Sequence, residues 1–300
     1  MVHMSIKKHI KKLRYWALPL GVESMLRKSA SILSLPPKLR KKIAGNEKFR
    51  DCHKNERCFI LATGPSINSQ DLTILQNDVC ISVGEFYHHK DFKTINPLYH
   101  VDAPNHEPFD FTTLELLVNN YKEYLGCRTT IFHGTDTFKY SIYNYYLISN
   151  DLRGLDIYFL NYAFSSELNE FSLYNRNIWD LKKNLFACKT VVYSAIQVAC
   201  YMGFKEIYLL GCDHDYLLRY FNNSFDGHHF YADNDGTDPE KVKGHLEEFT
   251  LERWFEQYYF RWKQYRLMNE YLGANNCKIF NATNGGMLDV FPRVRLEDVV

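Results

Sequence analysis

Residues 189–215 constrain the fold more tightly than any other part of the chain. Thr190-Val191-Val192-Tyr193-Ser194-Ala195-Ile196-Gln197-Val198-Ala199-Cys200-Tyr201-Met202 is apolar on nearly every face, which suits only a buried helix. It ends at Gly203, a residue that readily takes the left-handed conformation closing a helix. Phe204-Lys205-Glu206 makes a turn, and Ile207-Tyr208-Leu209-Leu210 is a short continuous apolar run, the mark of a parallel strand covered on both faces. Gly211-Cys212-Asp213-His214-Asp215 follows. Ligands of open α/β sheets collect beyond the carboxyl ends of the strands, so Asp213, His214 and Asp215 stand where a site is expected. The plainer reading is a turn whose acids cap the next segment.

The same alternation extends in both directions. Residues 58–62 read as a strand that runs directly into Thr63-Gly64-Pro65-Ser66, with Asp71 soon after. A Gly-containing turn in that position can hold a phosphate or nucleotide on its backbone N–H groups, although it is neither a Walker loop nor the full dinucleotide fingerprint. Further strands are predicted at 79–83, ending in Gly84, and at 98–102, 129–133, 157–160 and 277–281. Helices are predicted at 114–125 and 247–272, the second ended by Gly273; residues 138–186 read as mixed structure. Residues 216–244 are polar and irregular, the pattern of a lid, a binding loop or a disordered segment. Strands alternating with helices predict an α/β fold, a Rossmann-like, mostly parallel sheet flanked by helices. The expected organisation is a basic, partly helical extension over 1–54 and one catalytic domain over 55–300 with a lid at about 216–245.

Charge separates those two parts. Residues 1–57 carry 15 Lys and Arg against 4 Asp and Glu, an excess of +11, and the remaining 243 residues carry 21 against 31, or −10. Residues 6–18 place Ile6, Ile10, Leu13 and Ala17 at helical spacing among Lys7, Lys8, Lys11, Lys12 and Arg14, with Tyr15-Trp16 near the end. That composition fits an interfacial amphipathic helix on an anionic membrane, gaining about 1 kcal/mol per charge near the surface; a solvated basic extension is the alternative. No nucleic-acid-binding module accompanies the charge. No run of about 18 apolar residues occurs and the N-terminus lacks the apolar core of a signal peptide, so the expected location is the cytoplasm, peripheral at the inner membrane face. The 8 cysteines show neither zinc-site pairing nor the density of a secreted scaffold. The 22 Tyr, 21 Phe and 4 Trp fit a large core or surfaces on which rings stack.

Two stretches together carry a resemblance. The strand leading into Thr63-Gly64-Pro65-Ser66, and Gly203-Phe204-Lys205-Glu206-Ile207-Tyr208-Leu209-Leu210-Gly211-Cys212-Asp213, resemble the first and central segments of the bacterial sialyltransferases of glycosyltransferase family 42. They are also similar to the domain named after archaeal hydroxymethyl-dihydropterin diphosphokinase, which recurs in bacterial surface-polysaccharide proteins. The closing Lys278-Ile279-Phe280-Asn281-Ala282-Thr283-Asn284-Gly285-Gly286, with Phe291-Pro292-Arg293-Val294, looks like the end of that polysaccharide-associated branch. The resemblance implies a variant of the GT-A type. On its pattern Thr63, Gly64, Pro65, Ser66, Gly84, Thr190, Gly211 and Tyr216 form the donor-binding set. Thr63 and Gly84 stand where the family has asparagines, and Asp215, with Tyr216 beside it, stands where the family has a phosphate-binding tyrosine. A carboxylate so near a diphosphate repels it unless a metal or a proton intervenes. The family's catalytic histidine matches His245, with His229 in His228-His229-Phe230-Tyr231 as competitor.

Glycosyl transfer needs a base for the acceptor hydroxyl, stabilisation of the leaving phosphate and a seat for the nucleotide. A neutral histidine suits the base, and His214, His228, His229 and His245 crowd the second half of the chain. Asp213-His214-Asp215 also has the Asp-x-Asp form of metal-dependent glycosyltransferases, which makes the two acids candidate ligands for a divalent ion, although alternate residues of an extended segment point to opposite sides. The leading expectation is a glycosyltransferase of surface-polysaccharide biosynthesis, lipopolysaccharide included, moving a sugar from a CMP-linked or other nucleotide-sugar donor to a glycan or glycolipid acceptor. A Mg²⁺-dependent diphosphokinase acting on a pterin-like alcohol with ATP uses the same fold, and a non-catalytic scaffold of polysaccharide assembly is the third reading. An oligomer is compatible with all three.

Overall fold

The computed structural model describes residues 35–105, 109–135, 140–149, 152–162, 176–185, 189–221, 229–231 and 250–300. The membrane-helix segment 6–18 and His245 therefore lie outside the described residues, as does most of the expected lid. Eight parallel strands form one sheet: β1 Arg57–Leu61, β2 Cys80–Val83, β3 Tyr99–Asp102, β4 Thr130–Gly134, β5 Asp156–Tyr162, β6 Asn184–Leu185, β7 Glu206–Leu210 and β8 Lys278–Asn281. Their order is β6-β5-β4-β3-β2-β1-β7-β8. Among the described residues the α-helices are α1 Pro37–Ala44, α2 Phe92–Ile95, α3 Phe111–Asn120, α4 Ile142–Ile148, α5 Val191–Met202, α6 Tyr216–Phe221 and α7 Leu251–Ala274.

Strand residues alternate between two apolar layers, as the pleat requires. Cys58, Ile60, Ile207 and Leu209 face a layer filled by α5 and by Tyr265, Leu267, Met268 and Leu272 of α7. Phe59, Leu61, Tyr208 and Leu210 face the opposite layer with Leu39 and Ile43 of α1, Phe92 and Ile95 of α2 and Leu114 and Val118 of α3. Both faces are covered, which is why the strands read as unbroken apolar runs. Thr190 caps α5, its Oγ1 accepting from the Val192 N–H at 3.4 Å, and Gly203 closes it with φ 88°.

β7 lies next to the edge strand β8. After β6 the chain crosses back over the sheet and lays β7 on the far side of β1, so the order reverses between β1 and β7. Gly273 does not end α7, which runs to Ala274 and breaks at Asn275 and Asn276, the latter at φ 58°. The predicted 114–125 helix is α3 followed by one wider π-type turn, Tyr121–Leu125. The region read as mixed holds α4 and the two-residue β6, paired to β5 through Asn161 and Asn184. Residues 37–49 of the basic extension are part of the packed body: Leu39, Ile43 and Phe49 are buried, and the Asn46 side chain donates to the Phe159 and Leu181 carbonyls at 3.0 and 2.9 Å. With Leu39 and Ile43 committed to the core, α1 has its basic residues Lys38, Arg40, Lys41 and Lys42 left to offer a membrane. Among the described residues no helix is long and apolar enough to cross one.

Candidate active site

In a parallel sheet the crevice opens where strand order reverses, beyond the carboxyl ends of the two strands that diverge. That position here is the gap past β1 and β7, and it holds a cleft of about 560 Å³. One wall is the pair of turns that leave those strands. They are welded to each other: the Gly64 N–H donates to the Gly211 carbonyl at 2.8 Å, and the Ser66 N–H donates to Asp213 Oδ2 at 3.0 Å. A Cβ on Gly64 would stand 2.2 Å from Asp213 Oδ2 and 2.4 Å from the Gly211 carbonyl, so only glycine allows this approach. Gly211 has φ 66° and would push a Cβ to 2.6 Å from the Ala62 carbonyl.

The closing sequence motif supports this wall from behind. Thr283 Oγ1 accepts the Cys212 N–H at 3.0 Å, and the Asp213 carbonyl accepts the Met287 N–H at 2.7 Å. Arg293 fixes the loop that carries those groups, its guanidinium donating to the carbonyls of Thr283, Gly285, Gly286 and Leu288 at 2.5 to 3.3 Å. The Cys212 N–H and the Gly211 and Asp213 carbonyls of the turn are thus paired, as burial demands.

The facing wall comes from the residues after Asp213 and from α7. His214 takes the left-handed conformation at φ 49° and is buried, with its Nε2 2.8 Å from the Tyr265 hydroxyl. Burial, with the positive charge of Arg261 acting in the same direction, pulls the His214 pKa down to about 3, so the ring is neutral. Burial also holds the Tyr265 hydroxyl protonated. His214 Nε2 and the Tyr265 hydroxyl pair with each other, and Nδ1 has no hydrogen-bond partner among the described residues. The Tyr258 hydroxyl accepts the Leu217 N–H at 2.7 Å and donates to the His214 carbonyl at 3.0 Å, tying the start of α6 to α7. Arg261 lies over the Tyr216 and Tyr258 rings, 5.9 and 5.5 Å from their centroids.

Most of the residues singled out from the sequence meet at this cleft. Thr63, Gly64, Thr190, Gly211, Asp213, Asp215, Tyr216 and His229 all line it. Pro65 and Ser66 stand behind the wall in the 3₁₀ turn Pro65–Ser69, and Gly84 sits beside Thr63, past the end of β2, at φ 54°. His229 Nδ1 lies 2.9 Å from Thr63 Oγ1, and the Phe230 N–H donates to the Thr63 carbonyl at 2.9 Å, so residues 229–231 dock on the first turn. Among the described residues no three His, Cys, Asp or Glu side chains gather as metal ligands, and one Asp213 oxygen already takes the Ser66 N–H. Arg261, the burial of His214 and the aromatic supports on α7 were not read from the sequence. A signal was there: Tyr258, Arg261 and Tyr265 fall three and seven residues apart, on one helical face.

No protein-family model matches the chain, and no curated protein matches it. Among solved structures it is similar to the sialyltransferase CstII from Campylobacter jejuni in complex with a substrate analogue, CMP-3FNeuAc, at 17% identity over 80% of this chain and 86% of that one, with a TM-score of 0.43. It is similar also to the sialyltransferase CST-II in complex with trisaccharide acceptor and CMP, at 14% identity over 80% of this chain and 86% of that one, with a TM-score of 0.42.

Proposed function

We propose that the chain is a glycosyltransferase that takes a sugar from a CMP-linked donor and passes it to a hydroxyl of a glycan or lipid-linked acceptor. The observation that carries this reading is the joining of the β1 and β7 turns at the strand-order reversal, with a histidine docked on the first turn inside the same cleft. A nucleotide fits such a crevice, and the motifs that build it are those of the sialyltransferase-like resemblance. His229 is the proposed base. With the ring proton on Nδ1 donated to Thr63 Oγ1, the basic lone pair is on Nε2 and takes the acceptor's proton. Asp213 organises the wall by holding the Ser66 N–H, and Asp215 and Tyr216 lie beside the reacting groups. The diphosphokinase reading asks Asp213 and Asp215 to hold Mg²⁺, a role for which the described residues gather no ligand set.

A thermal-shift series with CMP, UDP, GDP and ATP, each with and without Mg²⁺ or Mn²⁺, tests the reading. Stabilisation by CMP of about 2.7 kcal/mol is expected at a hundredfold excess over Kd, independent of the divalent ion. Stabilisation by ATP alone, and only with Mg²⁺, would refute the CMP-donor assignment. His229→Ala should lower turnover about 10²–10⁴-fold while nucleotide affinity holds. His245→Ala is the companion variant, and full turnover in both would remove the histidine base.

A further inference from the structure

The α7 wall of the cleft carries donors with nothing to donate to. Arg261 Nε and Nη1 are buried without a hydrogen-bond partner, and no carboxylate pairs with this guanidinium among the described residues. His214 Nδ1, on the same wall, is a third buried nitrogen without a hydrogen-bond partner among the described residues. A buried donor left unmade costs about 1–3 kcal/mol, and more when it is charged. Stacking on Tyr216 and Tyr258 holds the Arg261 plane in place but satisfies none of its N–H groups. An acceptor with two oxygens matches the guanidinium fork, and phosphate is the strongest such acceptor in a nucleotide. The first turn of α5 lines the same cleft at Thr190, Val191 and Val192, adding the positive end of a 12-residue helix.

We propose that Arg261 is the phosphate anchor of this cleft, gripping an oxyanion of the nucleotide through two N–H groups. The inference rests on the nucleotide reading and deepens it. It also answers the charge problem that Asp213 and Asp215 pose: the Ser66 N–H engages one carboxylate, and a fixed guanidinium supplies the opposing charge without a metal. In the transfer step the acceptor oxygen bonds to the anomeric carbon as the bond from that carbon to the phosphate oxygen breaks. The electron pair stays on the phosphate, where Arg261 neutralises it, and the hydroxyl proton goes to His229.

Calorimetric titration of wild type, Arg261→Gln and Arg261→Lys with CMP, UDP, GDP, cytidine and inorganic pyrophosphate separates the outcomes. Arg261→Gln is expected to weaken CMP and pyrophosphate about 10- to 100-fold and to leave cytidine, which has no phosphate, within twofold. Arg261→Lys keeps the charge without the fork and should recover part of the loss. CMP affinity unchanged in Arg261→Gln overturns the anchor and leaves the nucleotide reading standing. Parallel loss of cytidine and CMP also overturns it, since that is the mark of a structural role. Arg261-dependent binding of pyrophosphate with no nucleotide bound keeps the anion site and removes the nucleotide reading. A wild type that binds none of the five overturns the anchor.

Discussion

The two walls of the cleft differ in what their polar groups have left to do. In the wall built by the β1 and β7 turns, hydrogen bonds from Gly64, Ser66, Cys212 and Met287 end on protein atoms, and the Arg293 guanidinium holds the supporting loop. In the wall built by His214 and α7, Arg261 Nε and Nη1 and His214 Nδ1 are buried with no hydrogen-bond partner among the described residues. A wall whose backbone donors are paired keeps its shape with the cleft empty, although Asp213 Oδ1 and Ser66 Oγ are left over among the described residues. An unsatisfied one gains free energy when an acceptor arrives, so rigidity and recognition sit on opposite sides of the same 560 Å³ space.

The comparison breaks most severely if the rigid wall can absorb a side chain. Gly64→Ala places a Cβ against the Asp213 carboxylate and the Gly211 backbone, and neither can retreat, because Asp213 is backed by Met287 and Gly211 by Ala62. We expect a loss of about 3 kcal/mol or more in urea unfolding, the upper range for overpacking at a fixed backbone. Nucleotide-induced stabilisation should vanish with it. A variant of wild-type stability would show that the two turns separate freely.

The second wall is tested by acid. His214 is neutral in the folded protein, with its pKa lowered to about 3 from the ordinary 6.5. Between those values the unfolded chain binds a proton that the folded chain refuses, so stability is complete above pH 6.5 and falls as the pH drops toward 3, by about 1.4 kcal/mol per unit from this one group. His133, buried in β4, has its pKa lowered by burial and adds a fall of the same sign. His214→Asn tolerates the left-handed backbone and does not titrate, so its unfolding free energy between pH 6.5 and 4.5 should decline less steeply than that of wild type by about that slope. Identical slopes would show that the His214 ring reaches water.

The rigid wall was legible in the chain; of the recognising wall His214, Asp215 and Tyr216 were legible and the α7 residues were not. A parallel strand covered on both faces is an apolar run, and the turn after it betrays itself by glycine, so β1 and β7 and their turns stood out within a residue of their ends. Where β7 goes in the sheet, beside the edge strand β8, depends on crossovers, which no local pattern records. The two-residue β6 is too short to show any period. Pro37–Ala44 read as part of a basic extension for a membrane surface, since only Leu39 and Ile43 are buried among its basic residues. Arg261 was hidden differently: α7 also carries Arg253, Lys263 and Arg266, and only packing tells which cation meets a cleft. Closing motif residues such as Gly286 and Arg293 looked like a family signature, and their contacts show them supporting the Asp213 turn from behind.

The smallest effect is expected where the two walls meet, at the first turn of α5. Thr190 caps that helix by accepting the Val192 N–H, at 3.4 Å a long bond, and it also lines the cleft. Removing a threonine cap costs about 1 kcal/mol of stability, and a bond this long belongs at or below that figure. If the cap is all that Thr190 supplies, Thr190→Ala lowers the unfolding free energy by about 1 kcal/mol and leaves CMP affinity unchanged. If the hydroxyl also meets the donor, CMP affinity falls further than stability does, and Thr190→Ser, which keeps both the cap and the hydroxyl, restores it. Measuring both quantities on both variants assigns α5 to one wall or the other. A stability loss alone makes the helix start part of the rigid frame, with Arg261 left to hold the phosphate by itself.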